Sequence, residues 1–176
     1  WQVVDRHQVD MLFTAPTAFR AMTDKVKDYN VSSLRKCVWA GETLPQPTWQ
    51  GWFDGTGLKI IDGLGSTEML HIFIAAEGDD IRPGATGKAI PGFEARVVDE
   101  NGDPVAPGVT GRLAVRGPTG CRYLDNPERQ AAYVQDGWNF TGDAYQCDED
   151  GYFHYQARTD DMIVSAGYNI SGPEVE

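Results

Sequence analysis

The run from Asp62 to Glu68, DGLGSTE, holds the residues of this chain best suited to chemistry. Its glycines let backbone come close to a ligand, Ser66 and Thr67 offer hydroxyls, and Glu68 offers a carboxylate. Such a carboxylate suits Mg2+, which commonly takes one or two protein carboxylates and fills its shell with phosphate oxygens and water. The structural alternative is an ordinary glycine turn with Glu68 capping a following helix. Gly41, Glu42 and Thr43 hold the equivalent place after the preceding apolar run. Alone they read as a turn, but two loops at neighbouring strand ends would line one crevice. The run from Trp138 to Asp143, WNFTGD, sets a carboxylate just past an aromatic-rich strand. A carboxylate accepts both hydrogen bonds of a ribose diol, although a turn aspartate explains the same residue. Arg158 beside Asp160 and Asp161 is either part of that site or a surface ion pair of little energetic weight.

Other patterns fail on spacing. Gly84 to Lys88, GATGK, has two residues between its glycines where a phosphate loop needs four, and Ala89 follows the lysine. The acidic cluster Asp148, Glu149, Asp150 precedes Gly151 and reads as a hairpin turn, because the calcium-loop ligand series is missing. His7, His71 and His154 are scattered without zinc spacing; His71, three residues after Glu68, belongs near the same loop.

The elements that must position these groups change character along the chain. Residues 1–8 read as the tail of a helix, Met11 to Phe13 as a short buried strand, and Pro16 to Val26 as a helix with Phe19, Met22 and Val26 on one face. Cys37 to Trp39 is a second strand, Pro47 to Phe53 a helix, and Leu58 to Ile61 a third strand ending at Asp62 and Gly63. This alternation predicts an α/β fold, part of a parallel sheet with crossover helices. After Gly78 come short alternating strands, at 93–98, 111–116, 152–155 and 162–164, with turn residues between them. That half predicts a small antiparallel, β-barrel-like subdomain. The expected organisation is residues 1–80, 81–158, and 159–176 as a closing segment.

Composition restricts the partners. The 176 residues carry a net charge of −11, which disfavours a nucleic-acid backbone and a polybasic membrane patch. No apolar run approaches the ~20 residues of a membrane helix. Trp 5, Tyr 7 and Phe 7 supply a genuine core. Cys37, Cys121 and Cys147 are three, far apart and without a Cys-x-x-Cys, so a reducing, cytoplasmic setting is expected. Trp1 at the start, and a helix-opening Ser171, Gly172, Pro173 at the end, read as a piece of a longer protein.

Taken in order, the motifs resemble those of the adenylate-forming superfamily, which includes acyl- and aryl-CoA synthetases. DGLGSTE resembles its adenine and Mg2+ motif, GRLAVRG from Gly111 with Tyr123 its glycine-rich strand motif, and TGD at 141–143 its ribose motif. Arg158 to Glu176 resembles the hinge motif between its large and small domains. EMLHIF at 68–73, RGPTGCRY at 116–123 and YQART at 155–159 are similar to benzoate- and 2-aminobenzoate-CoA ligases. One departure is Leu64, where many members carry an aromatic.

The resemblance implies ATP, Mg2+ and coenzyme A as cofactors and an aromatic carboxylate, of the benzoate or 2-aminobenzoate type, as substrate. It implies no nucleic acid and no membrane. Gly41, Glu42 and Thr43 would border the adenine, and Asp62, Gly63, Leu64, Gly65, Ser66 and Thr67 would wrap the adenine and phosphates. Thr67 and Glu68 would be the catalytic pair, touching the α-phosphate and holding Mg2+. Asp143 and Arg158 would take the ribose, Asp160 the hinge, Gly167 the pantetheine tunnel, and His71 the aryl carboxylate. A lysine-ending phosphate loop and a small domain with a catalytic lysine have no counterpart in this chain. By that resemblance the chain is the second half of the large domain, inactive alone and prone to form homo-oligomers through apolar surface. Two rivals are an adenylating enzyme that loads a carrier-protein thiol, and a non-catalytic ligand-binding or interaction domain.

Overall fold

The computed structural model describes residues 1–40, 46–159, 162–165 and 168–171. After a short helix α1, Gln2–His7, the apolar run Met11–Thr14 forms strand β1. Helix α2, Pro16–Thr23, starts with proline in its first turn, where no amide hydrogen is needed. It stops short of the sequence expectation: Val26–Asp28 forms a 3-10 turn that still buries Val26. Strand β2, Lys36–Ala40, helix α3, Gln46–Thr56, and strand β3, Ile60–Gly65, complete the alternation. β1, β2 and β3 pair in parallel, as the spacing predicts. The helices pack on this sheet through Phe19, Trp39 and Trp52, each fully buried, with Phe19 edge-on to Trp52 at 4.6 Å.

The parallel order ends at β3. Strands β4, Ile72–Ala75, and β5, Lys88–Ala89, join antiparallel, giving the order β1-β2-β3-β4-β5. The glycine motif also differs from a loop after a strand: Asp62 to Gly65 remain within β3. No helix follows Glu68; the chain turns and returns as β4. Gly65 is required there, because a Cβ would lie 2.5 Å from the His71 carbonyl oxygen. The first sheet takes its last strand from beyond residue 80.

The second sheet contains β6, Glu94–Val98, and β7, Gly111–Arg116. Helix α4, Pro127–Tyr133, and a short β8, Val134–Gln135, lead into the ten-residue β9, Trp138–Cys147. β10, Phe153–Arg158, completes the antiparallel order β10-β9-β7-β6, with β8 also on β9. Register shifts on both sides of β9, near Arg112–Ala114 and Tyr155–Ala157, are the kind of irregularity that curls a sheet. Asp148 closes the β9–β10 turn by accepting the Gly151 amide at 3.1 Å, so the acidic cluster is a hairpin turn. Residues 162–165 and 168–171 form β11 and β12, an antiparallel pair.

One apolar cluster joins the sheets. Met69, Phe73 and Ile74 from the first pack with Val97, Leu113, Val115, Tyr145 and Phe153 from the second. By contrast, β1 is an edge strand, with Met11 and Phe13 each about half exposed. That is the apolar surface anticipated from the sequence.

Phe73→Ala should destabilise the chain by roughly 3–5 kcal/mol, since it empties a fully buried site at the junction of the sheets. Urea unfolding read by tryptophan fluorescence checks this. A loss below about 1 kcal/mol would mean that the sheets are held together elsewhere.

Candidate functional site

The shared core leaves a cleft of about 920 Å3 between the sheets. One wall is β3 and the turn after it, contributing Asp62 to Glu68. The facing wall is β9 and β10, contributing Thr141, Asp143, Tyr145 and Arg158. Trp49 from α3, the segment 81–86, and Tyr123, Arg129 and Tyr133 around α4 close the remaining sides.

Asp143 lies within β9, not past its end as the sequence suggested, because the strand continues through Cys147. It is brought inward by local geometry. Gly142 adopts a φ of 80°, and the Gly142 carbonyl accepts the Thr159 amide at 2.9 Å. Arg158 stands opposite Asp143 in the register and donates to Asp143 Oδ1 at 3.0 Å. The side chain of Asp143 is mostly buried and that of Arg158 half exposed, so the carboxylate is held at the cleft wall by a partner from the next strand. The two acids after Arg158 were the other candidates for its charge, and both lie outside the described residues.

Asp62 is more deeply enclosed. It pairs with Trp39 across β2 and β3. Burial pushes its carboxyl up to about 7. The nearby Trp39 indole and the Gly63 amide lower it only in part.

Glu68 behaves in the opposite way. Burial raises its carboxyl, but a hydrogen bond from the Tyr123 hydroxyl, with further help from backbone, Ser66 and Arg129, outweighs that and holds it below the ordinary 4.5. The Tyr123 bond is 2.8 Å and ends on Oε1. Glu68 is therefore a carboxylate at neutral pH, with acceptor capacity left for a cation. Among the described residues, no cluster of three or more His, Cys, Asp or Glu forms a metal cage. The donor set fits Mg2+ carried in by phosphates, with one protein carboxylate, better than a resident all-protein site.

Not every sequence candidate reaches the cleft. His71 is exposed, faces the Phe13 ring at 6.0 Å, and does not line this cavity. Gly41, Glu42, Thr43, Asp160 and Gly167 lie outside the described residues. Lys88, in the phosphate-loop decoy, sits over the Tyr152 ring at 4.6 Å, away from the cleft, although Gly84 and Thr86 line the cavity. Sequence reading missed Tyr123 as a partner of Glu68. The two residues are 55 apart, and no local spacing announces a contact across two sheets.

The model of the family described as AMP-binding enzyme matches residues 1–123. The chain belongs to the AMP-binding enzyme family. The benzoate–CoA ligase of Thauera aromatica is 39% identical over 97% of this chain and 33% of its own length. The 3-hydroxybenzoate–CoA ligase of Aromatoleum sp. (strain CIB) is 36% identical over 99% of this chain and 34% of its own. Among solved structures, the anthranilate CoA ligase AuaEII in complex with anthranoyl-AMP superposes with a TM-score of 0.90 at 39% identity. It is matched over 99% of this chain and 34% of that one. The chain thus spans about a third of the length of the relatives it matches. Among the described residues, no helix is long and apolar enough to cross a membrane.

The raised Asp62 carboxyl makes stability depend on pH. The carboxyl is 3.8 when unperturbed and about 7 when folded, so the folded state binds more protons between those values. Native stability should therefore fall as pH rises from about 4 to about 7. The rise bounds the cost at about 4 kcal/mol. Asp62→Asn should flatten this dependence and be the more stable form at pH 8. Superimposable pH–stability curves for the two proteins would contradict the buried, raised carboxyl.

Proposed function

We propose that this chain is the nucleotide-facing part of an ATP-dependent, AMP-forming aryl-CoA ligase. The observation that carries the reading is the single cleft that brings the residues 62–68 opposite Asp143 and Arg158. The relatives named for benzoate and 3-hydroxybenzoate, and the neighbour holding anthranoyl-AMP, support an aromatic carboxylate as substrate.

In this reading the adenine lies against the backbone of Asp62 to Gly65, with Leu64 in place of a stacking ring. Gly41, Glu42 and Thr43 would border it, an assignment that rests on sequence alone. Asp143 accepts from the ribose hydroxyls, and its ion pair with Arg158 keeps the carboxylate oriented. Ser66 and Thr67 present hydroxyls toward the phosphates. Glu68 holds Mg2+, which when bound neutralises charge on the phosphate oxygens.

The reaction has two displacements. A carboxylate oxygen attacks the α-phosphorus, the bond to pyrophosphate breaks, and an acyl-adenylate forms. A thiol sulfur of coenzyme A then attacks the acyl carbon, and AMP leaves. The chain's own residues do no covalent work in either step; they position and stabilise charge, which is where phosphoryl-type catalysis gains most. Residues 1–80, 81–158 and 159–176 correspond in this reading to a partial α/β subdomain, the barrel-like subdomain and the hinge. Asp160 would be the hinge and Gly167 would line the pantetheine tunnel. His71, beside Phe13 and outside the nucleotide cleft, would border the aryl pocket and the substrate carboxylate.

Glu68→Gln in the full-length enzyme should lower acid-dependent ATP–pyrophosphate exchange by at least about tenfold at limiting Mg2+, because it removes a charged ligand but keeps shape. Unchanged exchange would remove Glu68 from the metal. The chain by itself should form no CoA thioester from benzoate or 2-aminobenzoate; thioester from the purified chain would place the whole machinery inside these 176 residues. For the full-length enzyme, AMP release that requires coenzyme A separates this reading from loading of a carrier-protein thiol.

A further inference from the structure

The turn that carries Glu68 is held both from within and from the segment between β7 and α4. Within the turn, Ser66 Oγ accepts the Met69 amide at 3.2 Å, and Leu70 takes a φ of 70°. From the second sheet's side, Thr119 Oγ1 donates to the Met69 carbonyl at 2.8 Å, and the Tyr123 hydroxyl donates to Glu68 Oε1 at 2.8 Å. Met69 itself is buried in the shared core. The backbone of the turn is thus fixed by Met69 and Thr119, whereas the Glu68 carboxylate is fixed by Tyr123.

Tyr123 is in turn built into α4. Its amide donates to Gln130 Oε1 at 2.8 Å. Its ring meets Tyr133 edge-on at 5.7 Å, and the Arg129 guanidinium lies 4.3 Å from the ring centroid on its face. Asn126 caps the helix by accepting the Arg129 amide at 3.0 Å, which sets the turn from which Arg129 and Gln130 project. The hydroxyl therefore has little freedom, and it points at one oxygen of one carboxylate. A tyrosine needed only for packing would not require this aim, since water could serve a half-buried hydroxyl equally well.

We propose that Tyr123 is a positioning residue that orients the Glu68 carboxylate for a divalent cation. The inference rests on the reading of Glu68 as the metal ligand. The hydroxyl takes one lone pair of Oε1, Glu68 lines the cleft, and a carboxylate keeps further acceptor capacity on its two oxygens. A carboxylate so fixed loses fewer rotamers when the cation arrives, so the gain is in affinity. Tyr123 and the helix α4 it packs against would thereby act on the metal without touching it.

The test uses the full-length enzyme with Mn2+ as the probe, in the presence of an ATP analogue whose α,β-bridging oxygen is a methylene. Mn2+ binding is followed by electron paramagnetic resonance, with circular dichroism and thermal melting as controls for folding. Tyr123→Phe removes the hydroxyl and keeps the ring. It should weaken Mn2+ roughly three- to tenfold, the value of one hydrogen bond. In pyrophosphate exchange it should raise half-saturating Mg2+ by a similar factor while leaving the rate at saturating Mg2+ close to that of the parent. Arg129→Gln, which keeps the hydroxyl, should have the smaller effect. Glu68→Gln in the same titration separates the two readings. Weakening by Glu68→Gln without weakening by Tyr123→Phe would overturn the positioning role and leave the site intact. No weakening by either would overturn both. An Arg129→Gln effect larger than that of Tyr123→Phe would show that the cation above the ring, not the hydroxyl, sets the carboxylate.

Discussion

The apolar junction between the two sheets is the constraint on which everything else depends. Met69, Phe73 and Ile74 from one sheet and Leu113, Val115 and Tyr145 from the other are each almost fully buried, and they belong to one cluster. Their burial fixes the distance between β3 and β9, and the cleft is the space left beside that contact. Met69 matters doubly. It follows Glu68 directly, so the same residue that anchors the core sets the root of the carboxylate in the cleft.

From that frame, the two acidic groups of the first wall acquire opposite characters. Asp62 lies inside a strand, beside the Trp39 indole, and its charge is opposed by burial. Glu68 lies on the turn beyond, where a phenol hydroxyl and a nearby guanidinium favour its charge. The facing wall pairs Asp143 with a cross-strand arginine. One enclosed acid, one ionised acid able to take a cation and one paired acid surround a cavity with room for a nucleotide. The proposed acyl transfer through an adenylate would need no nucleophile or general base from the protein, because the reacting groups belong to the substrates and the protein supplies position and field.

Much of this was legible in the chain. Alternating short apolar runs and amphipathic segments up to Ile61 predict the parallel β1-β2-β3 order that the structure has. Period-two alternation at Gly111 to Arg116 predicts β7. Strand ends were less legible: glycines at 63, 65 and 142 look like turns, yet Gly63 and Gly142 sit in strands whose pairing continues past them, and Gly65 is the last paired residue of β3. In Gly65 and Gly142 the missing side chain serves close backbone approach and a left-handed φ, which a local reading cannot tell from chain reversal. His71 was placed near Glu68 by sequence distance, but the turn at Leu70 sends its ring toward Phe13 instead. Tyr123 was silent for another reason. Its partner is set by how the two sheets pack, and packing between distant segments leaves no periodicity in either one.

The most direct measurement is a crystal structure of the full-length enzyme with a non-hydrolysable acyl-sulfamoyl adenosine and Mg2+. The ribose hydroxyls should lie on the Asp143 carboxylate, the adenine against the backbone of residues 62–65, and the aryl group on the His71 side of Gly65. Adenosine bound outside the cleft between β3 and β9, or a ribose turned away from Asp143, would contradict the nucleotide site at its foundation.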